Sequence, residues 1–378
     1  MAVARRAKEK EIIIERDGCA SKVSGFQTGF TSDKPDPITN LVFNERGVLR
    51  LPTRTDQGAA SANLPENTRR REQQPTIESL FVTCKAFSTI PALQQIRHRL
   101  RPQSTVVLCQ NGGLGVYEQL LYQVFPNPDE RPHFVLVSNT HGAFLRHPPM
   151  HIVHAGVGAL RYGIVPDGRR DFEKSLSDAN IRPALRRLNV DDIVSDEEDP
   201  LRDHYLSLRN TITVLQSLSE LHPQWESYDR LQTTLRQKLV VNSVVNPITM
   251  LMGCRNGELY GNPSIDRLIV KICSEATSVF EAEAKARAML NGTEVVPIPQ
   301  ELKTKNLVDE CRRVIKLTAG NISSMLADQR RGHTDTEIDF FNGYLLGLGR
   351  RHNLFMPVNS TVVDMVKIRS SIPIDSKL

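Results

Sequence analysis

The sequence predicts an α/β protein, in which a domain with a parallel sheet over residues 1–225 is followed by an all-helical domain over residues 226–378. Two observations lead to this prediction. A strand, a helix and a strand follow one another within residues 79–109, and helical periodicity continues almost unbroken from Leu231. With 378 residues, of which 39% are hydrophobic, the chain is long enough for two domains.

Short apolar segments define the sheet of the first domain. Ser79–Lys85 and Thr105–Cys109 have the length of strands, and the amphipathic segment Ile90–Leu100 lies between them. A helical crossover of this kind places the two strands parallel. A third strand is predicted at Phe134–Ser138, so the sheet continues along the chain.

The remaining strand candidates are less regular. His151–Ala155 and Leu160–Gly163 predict an antiparallel addition around glycines, and Glu11–Glu15 and Leu41–Phe43 are further candidates. Residues from about 52 to 77 are rich in Asp, Gly, Ser, Asn and Arg, which predicts a long exposed loop. The first eighty residues or so are therefore predicted to be largely irregular.

Composition argues against several classes of function. The chain has 48 basic and 43 acidic residues, and it has no long basic block, only short basic pairs and triples, so we expect no nucleic-acid partner. Six cysteines without a CxxC pair favour a reduced intracellular protein, and no apolar stretch is long enough to span a membrane. A Pro-Pro break interrupts the histidines of His147–His154, so we expect no metal site.

We expect a cytoplasmic protein, with the mitochondrion as an alternative, because the N-terminus mixes Arg with Glu and Lys and is not typical of a transit peptide.

The most informative feature is a lysine and two asparagines at a spacing of four. Lys238, Asn242 and Asn246 would line one face of a helix, with valines at positions 240, 241, 244 and 245 around them. A buried polar group costs free energy unless it is hydrogen-bonded, so this arrangement predicts a small polar ligand. Burial would also lower the pKa of Lys238 towards a range that is useful for proton transfer.

Polar and glycine residues also follow two neighbouring strands. Lys85 ends the first strand, and Gln110–Gly115 follows the second. Ligands of parallel sheets bind at the carboxyl ends of the strands, so these two segments are expected to converge on one crevice.

These residues, in this order, resemble the ketopantoate reductase family. The resemblance covers roughly residues 79–367 and includes the strand ending in Lys85, the Gln110-Asn111-Gly112 turn and the segment Lys238–Pro247. Its later motifs are Arg255-Asn256-Gly257-Glu258-Leu259, Asn321–Leu326, Asp328, Thr336–Asp339 and Asn342-Gly343. Each motif alone is common, but their order and separation are specific in combination. The resemblance implies an incomplete Rossmann-like N-terminal domain and an all-helical C-terminal domain of the 6-phosphogluconate-dehydrogenase-like type.

The resemblance also implies a reaction, the NADPH-dependent reduction of 2-dehydropantoate (ketopantoate), a small 2-keto acid, to (R)-pantoate. It implies Lys238 as the general acid and Glu337 as the carboxylate that organises the substrate hydroxyl and the active site. The residues that it implies for substrate binding are Asn242, Asn246, Asn256 and Ser324. Those that it implies for cofactor binding are Lys85, Asn111 and Gly112.

Each of these residues also has a purely structural interpretation. Asn242 and Asn246 are suited to bridging helices, Ser324 to bonding back to its own helix, and Glu337 to the first turn of a helix. A turn explains Asn256-Gly257 almost equally well. For any one residue alone the structural interpretation is favoured, whereas the whole set together favours a site.

One family feature does not occur in this sequence. Family members begin with a strand and a GxGxxG turn, which brings the cofactor pyrophosphate to a helix N-terminus. No such motif occurs in these 378 residues. Three explanations stay open: an incomplete product, NADPH binding through the remaining crevice alone, or a relative that has abandoned catalysis. We expect an enzyme scaffold with an incomplete or altered N-terminus, and the alternative is a non-catalytic binding or regulatory role, for example in organelle translation.

Two apolar faces are predicted on helices of the second domain. One consists of Val308, Cys311 and Ile315, and the other of Ile338, Phe341, Leu345 and Leu348. Such faces are suited either to closing over the crevice or to forming a homodimer, and both uses stay open.

Overall fold

Contacts divide the chain into two units. The structure, a computed structural model, describes residues 11–16, 19–24, 42–43, 49–50, 75–146 and 151–372. Unit 1 comprises Met1–Cys84, Ser88–Gln110 and Leu120–Tyr228, and unit 2 comprises Lys85–Phe87, Asn111–Gln119 and Asp229–Leu378. The predicted domain boundary after residue 225 stays a prediction. Most of the predicted loop at about 52–77 lies outside the described residues.

Strands occupy the first part of the chain, and the longest helices occupy the last part. The strands are β1 (Glu11–Arg16), β2 (Cys19–Ser24), β3 (Val42–Phe43), β4 (Leu49–Arg50), β5 (Ser79–Val82), β6 (Thr105–Leu108), β7 (His133–Asn139), β8 (Gly142–Arg146), β9 (His151–Gly156), β10 (Leu160–Ile164) and β11 (Pro223–Trp225). The helices are α1 (Ala86–Ile96), α2 (Gly113–Gln123), α3 (Lys174–Ser177), α4 (Arg202–Ser217), α5 (Tyr228–Met252), α6 (Pro263–Asn291), α7 (Thr304–Leu317), α8 (Ser324–Arg330), α9 (Asn342–Arg351) and α10 (Pro357–Ser371).

The main sheet of unit 1 has five strands in the order β11-β10-β7-β6-β5. β5, β6 and β7 are parallel, and α1 follows β5 in the crossover to β6, so the predicted strand–helix–strand unit is confirmed. Val106, Val107 and Leu108 on β6 are fully buried, as expected for a parallel strand that is covered on both faces.

The predicted antiparallel addition is only half right. β10 joins the main sheet antiparallel to β7, but β9 belongs to a second, four-stranded sheet in the order β2-β1-β9-β8. In that sheet β9 pairs antiparallel with β8 and parallel with β1. An alternating or apolar pattern identifies a strand but does not specify its partner, and this is why the prediction placed β9 beside β10. The candidate at Leu41–Phe43 corresponds to β3, which pairs with β4.

β5 is an edge strand of the main sheet as far as the described residues extend. No described strand pairs with its outer side, and Phe81 on this strand is 41% exposed.

Unit 2 is built from helices around one apolar core. The two predicted apolar faces, which include Val308, Cys311, Phe341 and Leu345, are buried in that core. Since they pack inside the chain, neither face is available as a dimer surface, and the suggestion that they support a homodimer is wrong. The homodimer itself stays a prediction.

Two further expectations concern cysteines and membranes. All six cysteines are free, although the Sγ atoms of Cys273 and Cys311 lie 3.9 Å apart in the core of unit 2. Among the described residues, no helix combines the length and the apolar character that a bilayer crossing requires.

Candidate functional site

The helix α5 carries the lysine and the two asparagines at the predicted spacing. It extends without interruption over Tyr228–Met252. The valines beside this stripe are buried in the core, Asn246 is buried, and Lys238 and Asn242 are half-buried. The amine and amides therefore share an apolar wall, as the pattern predicted.

The environment of Lys238 changes its proton affinity. Burial lowers the pKa of the Lys238 ammonium from 10.5 to about 8, and the negative charge of Glu337 acts in the opposite direction by raising it. A lysine with this pKa is mostly protonated at neutral pH and yet releases its proton more readily than an exposed lysine. Lys238 can therefore serve as a proton donor near neutral pH.

Glu337 is the buried acid of the site. It begins a short 3₁₀ helix, Glu337–Phe340, and its side chain is only 4% exposed. Its Oε2 lies 3.4 Å from Lys85 Nζ, and its Oε1 accepts the backbone N–H of Ala86 at 3.4 Å. Burial raises the pKa of Glu337, while the charge of Lys85 and the N–H of Ala86 oppose that effect. Because Ala86 is the first residue of α1, Glu337 also stabilises a helix N-terminus, so its structural interpretation holds beside the chemical one.

Asp328 is a site residue to which the sequence interpretation gave no role. Its Oδ2 lies 2.8 Å from Lys85 Nζ, closer than Glu337 does. Burial alone would lower the pKa of Lys85, but the two carboxylates outweigh burial and raise it. The available signal was spacing, since Asp328 follows Ser324 by four residues on α8 and shares its face.

Ser324 contacts the asparagine stripe of α5. The Nδ2 of Asn246 donates to Ser324 Oγ at 3.4 Å. The N-cap of α8 is not Ser324 but Ser323, whose Oγ accepts the N–H of Leu326 at 3.2 Å and the hydroxyl of Thr249 at 2.7 Å. The Ser324 hydroxyl is therefore not used in capping its own helix.

Asn242 and Asn256 differ in their surroundings. Within the described part of the chain, the Asn242 amide has no hydrogen-bond partner. Asn256 begins the 3₁₀ helix Asn256–Leu259, its Nδ2 donates to Thr318 Oγ1 at 2.9 Å, and its backbone N–H donates to the carbonyl of Asn321 at 3.1 Å. Its buried Oδ1 has no partner among the described residues. The turn interpretation thus explains the backbone of Asn256 but not its amide oxygen.

The turn at Asn111 and Gly112 contacts the segment that carries Glu337. Gly112 has a φ of +71°, and a Cβ added to it would lie 2.8 Å from the Cβ of Phe340, the last residue of the 3₁₀ helix that Glu337 begins. Both the backbone conformation and the close packing require glycine here. The turn leads directly into α2, whose first residue is Gly113.

All nine predicted site residues belong to unit 2. The segments 85–87 and 111–119 come from the α/β part of the sequence, but their contacts place them with residues 229–378. The nine residues are Lys85, Asn111, Gly112, Lys238, Asn242, Asn246, Asn256, Ser324 and Glu337. The structure directly joins Lys85 to Glu337 and Asn246 to Ser324, and the charge of Glu337 acts on Lys238.

A Rossmann-like α/β region with a helical domain, together with a lysine near a buried carboxylate, is typical of pyridine-nucleotide-dependent oxidoreductases. The family model described as ketopantoate reductase PanE/ApbA matches residues 43–167, and the model described as ketopantoate reductase PanE/ApbA C terminal matches residues 230–370. The chain belongs to the ketopantoate reductase family.

Curated relatives are similar over most of their length. A 2-dehydropantoate 2-reductase of Shigella flexneri is 29% identical over 296 residues, which cover 78% of this chain and 75% of the relative. A 2-dehydropantoate 2-reductase of Vibrio cholerae is 27% identical over 294 residues, which cover 76% of each protein.

Solved structures confirm the predicted fold class. A PanE/ApbA family ketopantoate reductase from Ralstonia eutropha JMP134 has a TM-score of 0.57 at 13% identity, and the similarity covers 98% of this chain and 88% of that chain. D-mandelate dehydrogenase, in a ternary structure with NADH and anilino(oxo)acetate, has a TM-score of 0.54 at 16% identity, with 79% of each chain covered.

Proposed function

We propose that this chain catalyses the NADPH-dependent reduction of 2-dehydropantoate to (R)-pantoate. The observation that carries the proposal is Lys238, a lysine with a pKa of about 8 near the charge of Glu337, on a helix face with two amides. The curated relatives bear the name of this activity. The chemistry of reduction requires a proton donor beside a carbonyl oxygen, which Lys238 supplies.

When bound, NADPH would supply the hydride that the carbonyl carbon of the 2-keto acid needs. Lys238 donates a proton to the carbonyl oxygen as that oxygen gains negative charge, so that the ketone becomes a secondary alcohol. Glu337 accepts a hydrogen bond from the substrate hydroxyl, and its charge keeps Lys238 more fully protonated than burial alone would allow. Lys238 then recovers its proton from solvent.

The remaining polar groups suit a small substrate with a carboxylate and a hydroxyl. Asn246 and Ser324, which are already in hydrogen-bond contact, hold the substrate carboxylate through the serine hydroxyl. The half-buried Asn242 amide and the unpartnered Oδ1 of Asn256 supply further hydrogen bonds. Without such a substrate, each of these two polar groups would lack a hydrogen bond in its buried or half-buried position, which costs free energy.

The cofactor contacts fit in part. Lys85 offers a cation beside the carboxylates of the site, and the Asn111-Gly112 turn offers an amide and a tight backbone bend directly before α2. At Gly113 an added Cβ would meet no described atom within 4 Å, so the start of α2 leaves room for a ligand. The GxGxxG turn does not occur in the 378 residues, and no residue is assigned to the pyrophosphate.

The test is 2-dehydropantoate-dependent oxidation of NADPH by the full chain, beside Lys238→Ala and the control Lys271→Ala. Loss of a general acid typically costs about 10²–10⁴ in rate, so we expect a fall of at least about 100-fold for Lys238→Ala. Lys271 is an exposed lysine on α6 and its removal is expected to leave turnover unchanged. Parallel assays with NADH and with a smaller 2-keto acid determine the preferred cofactor and substrate.

A separate NADPH-binding titration distinguishes the ways in which the proposal can fail. NADPH binding without turnover would contradict the proposed reductase activity and favour the alternative, a non-catalytic relative. If NADPH is neither bound nor oxidised, the proposed cofactor is wrong as well as the proposed reaction. Turnover that survives in Lys238→Ala would show that another group donates the proton.

A further inference from the structure

Unit 1 contains a second group of potential ligands, unrelated to the residues of the proposed reaction. His133 lies at the start of β7, Asp167 follows β10, and His204 lies in the first turn of α4. One nitrogen from each imidazole and one carboxylate oxygen lie within 4.8 Å of one another. Side chains from three separate elements thus place two nitrogens and one oxygen around one point.

Hydrogen bonds already orient two of these side chains. His133 Nε2 lies 2.9 Å from the carbonyl oxygen of His204, and since a carbonyl can only accept, Nε2 carries the proton and Nδ1 keeps its lone pair. Asp167 accepts the hydroxyl of Tyr205 at 2.8 Å and the backbone N–H of Arg169 at 2.9 Å. Histidines and carboxylates that bind metals are commonly held by such outer hydrogen bonds.

Two arginines lie near this group, and each is paired with an acid outside it. The guanidinium of Arg170 is paired with Asp199 through contacts of 2.6 and 2.7 Å, and that of Arg169 is paired with Asp129 at 2.9 Å. Among the described residues, Asp167 forms no ion pair with either arginine, although the charges of both arginines act on His204.

We propose that His133, Asp167 and His204 bind one divalent transition-metal ion, with water completing the coordination. Two imidazoles and one carboxylate are a donor set that suits Zn²⁺ and its neighbours in the first transition row. Asp167 is exposed and His204 is half-exposed, so an ion reaches the group from solvent. Such an ion links β7, the segment after β10 and α4, and it stabilises unit 1 without taking part in the reduction.

Isothermal titration of the chelator-treated full chain with ZnCl₂ tests the proposal. We expect one saturable Zn²⁺ site per chain. The affinity for Zn²⁺ is expected to be at least about tenfold weaker in His204→Ala and in Asp167→Asn, because metal sites typically lose at least that much affinity when even a supporting group is removed. His352→Ala is the matched control, because His352 is a half-buried histidine of unit 2 outside the cluster. His133 is left intact because its buried ring packs near Tyr205, and its removal would disturb the fold.

Thermal unfolding supplies a second readout that does not depend on enzymatic turnover. Zn²⁺ is expected to raise the melting temperature of the wild-type chain and of His352→Ala, but not that of His204→Ala. Zinc binding that persists unchanged in both cluster variants would overturn the proposal and point to other ligands, such as the exposed thiol of Cys19. Absence of saturable binding to the wild-type chain would overturn it equally.

Discussion

Alkaline pH is expected to remove the proton that Lys238 donates in the proposed reaction. Burial lowers the pKa of this lysine from 10.5 to about 8, a change worth about 3 kcal/mol of lost preference for the charged form. At one pH unit below its pKa the lysine is about ten-to-one protonated, and above the pKa the protonated fraction falls about tenfold per pH unit. We therefore expect kcat to decline as pH rises through about 8, measured as NADPH oxidation at saturating 2-dehydropantoate.

Substitution of Glu337 tests the origin of this decline. The charge of Glu337 raises the pKa of Lys238, so Glu337→Gln is expected to move the decline to lower pH. In Lys238→Arg the guanidinium stays charged throughout this range, so the decline disappears together with most of the turnover. A decline centred near 10.5, or one that moves to higher pH in Glu337→Gln, would refute the assignment of Lys238 as the proton donor.

Two further predictions concern stability and are measured by urea unfolding of the full chain. Gly112→Ala is expected to lower the free energy of unfolding by at least about 1–2 kcal/mol, because Gly112 has a positive φ and an added Cβ would lie 2.8 Å from that of Phe340. Gly113→Ala is the control, since an added Cβ meets no described atom within 4 Å there, and an equal loss in both variants would contradict the packing argument. Tyr344→Phe is expected to cost about 1–3 kcal/mol, because the hydroxyl of this half-buried tyrosine donates to Glu118 Oε1 at 2.6 Å, and an unchanged stability would show that water replaces this bond.

The local features of the fold could be predicted because they depend on neighbours in sequence. The parallel β5 and β6 and the helix α5 follow from short apolar runs and from helical periodicity. The second sheet could not be predicted, because β1 pairs with β9 and Ile13 lies opposite His151. Nothing within either strand specifies such a distant partner.

The candidate site shows the same division. Lys238, Asn242 and Asn246 were predicted to share a face because one helix carries all three. The contact of Lys85 with Asp328 joins residues 243 positions apart in the sequence. Periodicity has no bearing on a pair at this separation, so only the folded chain reveals Asp328 as the nearer partner of Lys85.

The allocation of residues 85–87 and 111–119 to unit 2 limits how the protein can be divided in the laboratory. A fragment that begins at Asp229 would keep Lys238 and Glu337 but would lose the ammonium of Lys85 and the turn at Gly112. In a chimera that takes residues 229–378 from a relative, the new helices would contact residues 85–87 and 111–119 of the original chain, whose sequences differ from those of the relative. A chimera that transfers residues 85–87, 111–119 and 229–378 together would preserve these contacts, whereas a single junction after residue 228 would lose them.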